Sequence, residues 1–284
     1  MKIGNWDITW EQVRTVLLWI ALPLLVGVLI AAAVPRPIVG VIHLDTQIDP
    51  YSAQDVLYQL EYARQHPEIR AVVLVVDSPG GTVADTESIY QELLELRKLK
   101  PVVTSVGGMA ASGAYYVASG TDYIFANPTS DVGNVGVIGY LPDSPTVLET
   151  TISTGPYKLW GEPRDTYQRE MEMIKQGFFQ AVTLGRGSQL KIGPQVLLSG
   201  RIWPGTEALR AGLIDALGSQ SDAFDKAAHL ANVAHYQVEE LYPLAYAALL
   251  APVTGQASVT PPAVTLPDPS QPGVYLLYLA PGAK

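Results

Sequence analysis

Residues 70–77 read RAVVLVVD, a run whose apolar positions do not alternate with polar ones. A strand with one wet face alternates, whereas an unbroken β-branched run belongs to a strand covered on both sides, as in a parallel sheet flanked by helices. The neighbouring segments follow the same logic. PIVGVIHL (37–44) and PVVTSV (101–106) read as strands, SAQDVLYQLEYARQH (52–66) as a helix capped by Ser52, and TVADTESIYQELLELRKL (82–99) as a second helix. SGAYYVAS, YIFAN and VGVIGY (112–119, 123–127 and 135–140) continue as helix, strand and strand. After Arg164 the pattern is helical, with Met171, Ile174, Phe178, Ala181 and Val182 spaced as a core-facing stripe. Strands alternating with helices in this way predict an α/β fold of stacked βαβ units.

Residues 15–34, TVLLWIALPLLVGVLIAAAV, carry no charge. As a helix rising ~1.5 Å per residue, such a run is long enough for a hydrocarbon core of ~30 Å. Pro23 and Gly27 are tolerated in membrane spans, and Trp10 and Trp19 suit an interface. The competing reading is a cleaved signal peptide, since LIAAAVP ends the run on small residues; the run is longer than the usual apolar core of ~7–15 residues. Lys2 and Arg14 precede it and Arg36 alone closely follows, a bias that favours a cytoplasmic N-terminus and an extracytoplasmic bulk. From about Ala251 the chain is proline-rich and reads as an extended tail, although its final VYLLYLAPGAK is more apolar than a linker. The predicted organisation is a cytoplasmic segment 1–14, a transmembrane helix 15–34, an α/β domain 37–236 and a Pro-rich C-terminal extension 237–284.

Composition removes several chemistries. The chain has no cysteine, so thiolate nucleophiles and cysteine-ligated metals are excluded. Its net charge of −9 and its lack of a basic cluster argue against nucleic acid as a partner. The histidines at 43, 66, 229 and 235 form no HExxH pair, so no metal site is expected. GNVGVIG lacks both the dinucleotide fingerprint and a phosphate-loop lysine, so no cofactor is expected.

Two strand-to-helix junctions remain. VVDSPGGTVAD places Gly80 and Gly81 after a buried strand, and VGGMAASGAYY places Ser112 and Gly113 after the next one. Such turns need glycine for purely structural reasons, but together they offer two backbone N–H groups beside a hydroxyl, the elements of an oxyanion hole next to a nucleophile. Gly107, Gly108, Ala110 and Ala111 are small enough to admit a substrate backbone. A serine hydroxyl needs a base, and no histidine lies between His66 and His229. A lysine serves when burial favours its neutral form, and Lys158 is flanked by Tyr157, Leu159 and Trp160. Its plainer reading is a surface lysine. Asp77 reads as structural, Arg164, Arg186 and Arg201 as ion-pairing or carbonyl-binding, and Tyr115 and Tyr116 as packing around the Ser112 helix.

DSPGG, GGMAASGAYYVAS, VGVIG, GPYKLWGEPR, GRG and ALRAGLIDALGS, in this order from roughly Pro37 to Val233, resemble the signal peptide peptidase A family, Ser/Lys peptidases of the S49 type. The resemblance implies a ClpP/crotonase-like ββα superhelix, with 37–236 as the peptidase domain, Ser112 as nucleophile, Lys158 as general base and the Gly81 and Gly113 amides as oxyanion hole. It also implies an N-terminal membrane anchor, released signal peptides as substrates, and a homo-oligomeric ring in which a neighbouring subunit supplies the lysine. Where the family carries a small hydroxyl residue that orients the lysine, this chain has Asn134, whose carbonyl could accept from the amine instead. Asn134 leaves open a second reading, a catalytically silent scaffold that binds peptides at the membrane, whereas a Ser/His/Asp peptidase of ClpP type is opposed by the lack of a histidine soon after Ser112 and by the membrane span.

Overall fold

The computed structural model describes residues 2–3, 6–7, 10–33, 36–140, 154–155, 157–158, 161 and 163–250. The RAVVLVVD run lies at the heart of a parallel sheet. In chain order the elements are β1 (Lys2–Ile3), β2 (Trp6–Asp7), α1 (Trp10–Val16), α2 (Leu22–Ala33), β3 (Ile38–Leu44), α3 (Pro50–Gln65), β4 (Ile69–Ser78), α4 (Val83–Arg97), β5 (Val102–Ala111), α5 (Gly113–Ser119), β6 (Tyr123–Ala126) and β7 (Asp131–Gly133). They continue as α6 (Arg164–Arg186), α7 (Pro194–Leu197), β8 (Ile202–Pro204), α8 (Gly205–Ala211), β9 (Ala216–Leu217), α9 (Gln220–Leu230), β10 (Gln237–Glu240) and α10 (Leu241–Leu250). The sheet order is β10-β3-β4-β5-β6-β9, all parallel, while β7 joins the far end of β5 and pairs antiparallel with β8.

The unbroken apolar run of β4 is explained by what covers it. Val72, Leu74 and Val76 belong to the larger core with Ile42, Val56, Leu60, Ile89 and Leu93 from β3, α3 and α4. Ala71 and Val73 face a second core with Ala223, Ala227 and Ala228 of α9. Each large aliphatic side chain fully buried in this way contributes about 1.5–3 kcal/mol. This is a mixed α/β fold with a parallel sheet, consistent with a ClpP-like fold.

Several local expectations are corrected. The first long helix starts earlier than Ser52: Pro50 is its first residue and Asp49 its N-cap, accepting from the Tyr51 and Ser52 N–H groups at 2.9 Å each. Ser52 is the reciprocal member of this capping box, its hydroxyl accepting from the Asp49 N–H. VGVIGY is not a strand; pairing stops at Gly133, where Asn134 turns the backbone with φ 55°. The sheet also continues past residue 236, because β10 pairs with β3 and α10 follows with Leu241 packed on Gly40. Residues 251–284 lie outside the described residues.

The single helix expected over 15–34 is interrupted. Helical structure runs from Trp10 to Ala33, but a π turn at Leu17–Ala21 separates α1 from α2. Pro23 supplies the cause: it has no N–H for the carbonyl four residues back, and its ring crowds that carbonyl. Among the described residues, no helix is by itself long and apolar enough to cross a membrane. The large apolar side chains from Val16 to Val28 are nonetheless solvent-facing, Trp19 at 78% and Leu24 at 69% exposure.

Candidate active site

β5 delivers Ser112 at its end, and α5 begins immediately afterwards. Ser112 has φ 52° and ψ −125°, a conformation that L-residues avoid and that costs about 1–3 kcal/mol. Two bonds hold it: the Ser112 N–H donates to the Gly133 carbonyl at 2.9 Å, and the Ser112 carbonyl accepts from the Tyr116 N–H at 2.9 Å. The half-buried hydroxyl residue thus stands at a sharp strand-to-helix corner.

The second glycine turn packs directly against this corner. Gly80 has φ +90°, and a Cβ on it would lie 2.6 Å from the Gly113 nitrogen and 2.9 Å from Ser112 Cβ. A Cβ on Gly113 would lie 3.4 Å from the Gly81 nitrogen and 2.5 Å from Thr86 Oγ1. Gly81 itself abuts Ile48: the Ile48 N–H donates to Gly80 O at 2.9 Å, the Thr82 N–H donates to Ile48 O at 3.0 Å, and a Cβ on Gly81 would collide with the Ile48 carbonyl. Among the described residues, neither the Gly81 nor the Gly113 N–H takes a carbonyl partner. Ser112, Gly81 and Gly113 are therefore brought together, an arrangement of hydroxyl and neighbouring amides of the kind that stabilisation of a developing negative charge requires.

The helix behind Ser112 is clamped from several sides. Tyr115 is fully buried and donates its hydroxyl to Leu213 O at 2.9 Å. Burial pushes its phenol above the usual range, and pushes Tyr116 up to about 12. The Tyr116 ring lies between Tyr90 of α4 and Phe178 of α6, with centroids 4.9 Å away on each side. Phe178, Ala181 and Val182 form the buried part of the α6 stripe, whereas Met171 and Ile174 are half-buried. Arg186, at the end of α6, is buried and donates to both Asp215 oxygens at 2.8 and 3.0 Å, to Gly212 O and to Gln189 Oε1.

The remaining candidates are placed less closely. Lys158 is helical together with Tyr157, its N–H donating to Gly155 O at 3.2 Å, and it is exposed in the single chain rather than buried as expected for a neutral amine. Its flanking Leu159 and Trp160 lie outside the described residues. Asn134 has its side-chain Nδ2 committed to Gly200 O at 2.7 Å, and its backbone N–H donates to Arg201 O at 2.8 Å. Asparagine is at home in this left-handed conformation, so the residue fastens the turn after β7 and leaves only Oδ1 to meet an amine. Ala110 and Ala111 are buried rather than open to a substrate. Among the described residues, no cluster of His, Asp and Glu is suited to a metal.

Sequence reasoning missed Thr86, whose hydroxyl occupies the space beside Gly113 while donating to Thr82 O at 2.7 Å. It also missed Ser130. Nothing in the local pattern marks either residue, because both act on segments distant in sequence.

An α/β sheet that presents a serine on a strained strand-to-helix corner, beside two amides with no carbonyl partner among the described residues, defines a class of hydrolase-like sites. The comparisons sharpen that class. The model for Peptidase family S49 matches residues 95–234, and that for Clp protease matches residues 39–132. "Protease 4" of Salmonella typhi is 34% identical over 194 residues, covering 64% of this chain and 31% of the relative. "Putative protease MJ0651" of Methanocaldococcus jannaschii is 34% identical over 209 residues, covering 68% and 67%. "Serine protease SPPA, chloroplastic" of Arabidopsis thaliana is 29% identical over 196 residues, covering 64% and 29%. The chain belongs to peptidase family S49, the family of SppA. It spans only about a third of the length of the Protease 4 relatives.

Proposed function

We propose that this chain is a membrane-anchored serine endopeptidase that degrades released signal peptides. Ser112 Oγ attacks the scissile carbonyl and passes its proton to a neutral Lys158 amine. The Gly81 and Gly113 N–H groups hold the oxyanion, and the protonated lysine then gives its proton to the leaving nitrogen as the C–N bond breaks. Water, deprotonated by the same amine, releases the acyl group and restores the serine.

The observation that carries this reading is the convergence of the Gly81 and Gly113 amides on the strained Ser112 corner. Burial favours the neutral form of an amine, and Lys158 is exposed in one chain. The reading therefore requires a second subunit to cover it, which agrees with a ring in which the lysine acts on the neighbour's serine. The membrane assignment rests on the uncharged helical run from Thr15 to Ala33, whose large apolar side chains from Val16 to Val28 are solvent-facing, and the bias of Lys2 and Arg14 favours a catalytic domain outside the cytoplasm.

The test is labelling with a serine-directed fluorophosphonate together with hydrolysis of an apolar peptide. Ser112→Ala and Lys158→Ala each abolish both signals, and mixed oligomers of the two variants regain part of the activity. Full activity in either single variant overturns the assignment; a scaffold that only binds peptides leaves Ser112 unlabelled.

A further inference from the structure

The strand that carries Ser112 is not regular. β4 and β5 pair from Val72↔Val102 to Val76↔Val106, and pairing resumes only at Ser78↔Ala110. Asp77 alone therefore faces three residues, Gly107, Gly108 and Met109, so β5 holds two more residues than β4 across this interval. Over the same interval β5 changes its other neighbour, from β6 at Val103–Val106 to β7 at Met109–Ala111.

The bulge is pinned at both ends by side chains. Asp77 Oδ1 accepts from the Met109 N–H at 3.0 Å, supplying the partner that the ladder no longer provides. The Ser130 hydroxyl, buried, donates to Gly107 O and accepts from the Asn127 N–H at 3.0 Å. The small size of Gly108 follows from this arrangement, since a Cβ there would lie 2.8 Å from Asp77 Oδ1. Its bareness serves the carboxylate, not only a substrate.

The consequence reaches the site. With the register that holds up to Val76, Gly81 would stand beside Ala111; with the register after the bulge, Gly80 stands beside Ser112 and Gly81 beside Gly113. We propose that the Gly107–Met109 bulge is the register device that aligns the two amides with the serine, and that Asp77 is the positioning residue that sets it. The inference rests on the reading of Ser112 as nucleophile, and it names a residue that touches neither substrate nor reacting atoms.

The experiment compares Asp77→Ala with Asp77→Asn in the full chain. Asparagine keeps an oxygen acceptor for the Met109 N–H, and alanine does not. Three quantities are read: amide exchange at Met109, the rate of fluorophosphonate labelling at Ser112, and kcat and KM for an apolar peptide. The expected result for Asp77→Ala is Met109 exchange at least tenfold faster, labelling and kcat at least tenfold lower, and KM changed less than threefold. Asp77→Asn stays within threefold of the parent on all of them. Wild-type labelling in Asp77→Ala, or an Asn variant as impaired as the Ala variant, overturns the proposal. If the parent itself is not labelled at Ser112, the nucleophile assignment fails, while the exchange comparison still decides whether Asp77 holds the bulge.

Discussion

Thr86 Oγ1 stands 2.5 Å from the position that a Cβ on Gly113 would take, so a threonine of α4 enforces the glycine that follows the candidate nucleophile. Gly113→Ala is expected to lose about 1–3 kcal/mol through overpacking and to label at least tenfold more slowly. Adding Thr86→Ala clears the space, and a coupling of about 0.5–3 kcal/mol is expected in the double-mutant cycle, read from denaturant midpoints. Strict additivity would show that the two positions do not meet.

Arg186 and Asp215 form a buried ion pair, with side chains only 3% and 5% exposed. Removing the cation alone, as in Arg186→Leu, leaves Asp215 charged and buried, and a loss of about 3–5 kcal/mol is expected. Asp215 Oδ2 also accepts from the Ile124 N–H at 2.8 Å, so adding Asp215→Asn to Arg186→Leu keeps that bond and recovers part of the loss. Thermal melting of the single and double variants measures the difference.

Alkaline pH should loosen the packing around α5. Burial holds the Tyr116 phenol up at about 12, against about 10 in the unfolded chain. A folded value above the unfolded one means that the stabilisation is complete below pH ~10 and is lost as pH rises from ~10 to ~12. Tyr116→Phe should flatten the fall in stability over that window, and urea midpoints from pH ~8 to ~11 will register it.

The N-terminal run should carry the chain to lipid. In flotation with phospholipid vesicles, the full chain is expected to rise with the lipid and a chain beginning at Arg36 to stay behind. Retention of flotation by the shortened chain would move the membrane contact elsewhere.

The legible parts of the sequence were those with local causes. RAVVLVVD marked itself as a doubly covered strand because its apolar run is unbroken, and the two glycine turns were readable because each follows a strand and opens a helix. Ser52 was misplaced by one element of its motif, since Asp49 before Pro50 is an equally good cap and lies earlier. The bulge was invisible for a different reason: Gly107 and Gly108 look like a bare cleft until Asp77, 32 positions before Met109, is seen to occupy the space they leave. The Arg186–Asp215 pair and the packing of Leu241 on Gly40 depend likewise on contacts that no spacing rule encodes.

The bulge in β5 also carries a rule of parity. Side chains alternate along a strand, so two extra residues leave Val106 and Ala110 in the same core, whereas one or three would turn Ala110 outward and drive its neighbour in. Insertions and deletions between Val106 and Ala110 are therefore expected to be tolerated in pairs. A length difference of one in this stretch would be a sign that another part of the strand has compensated.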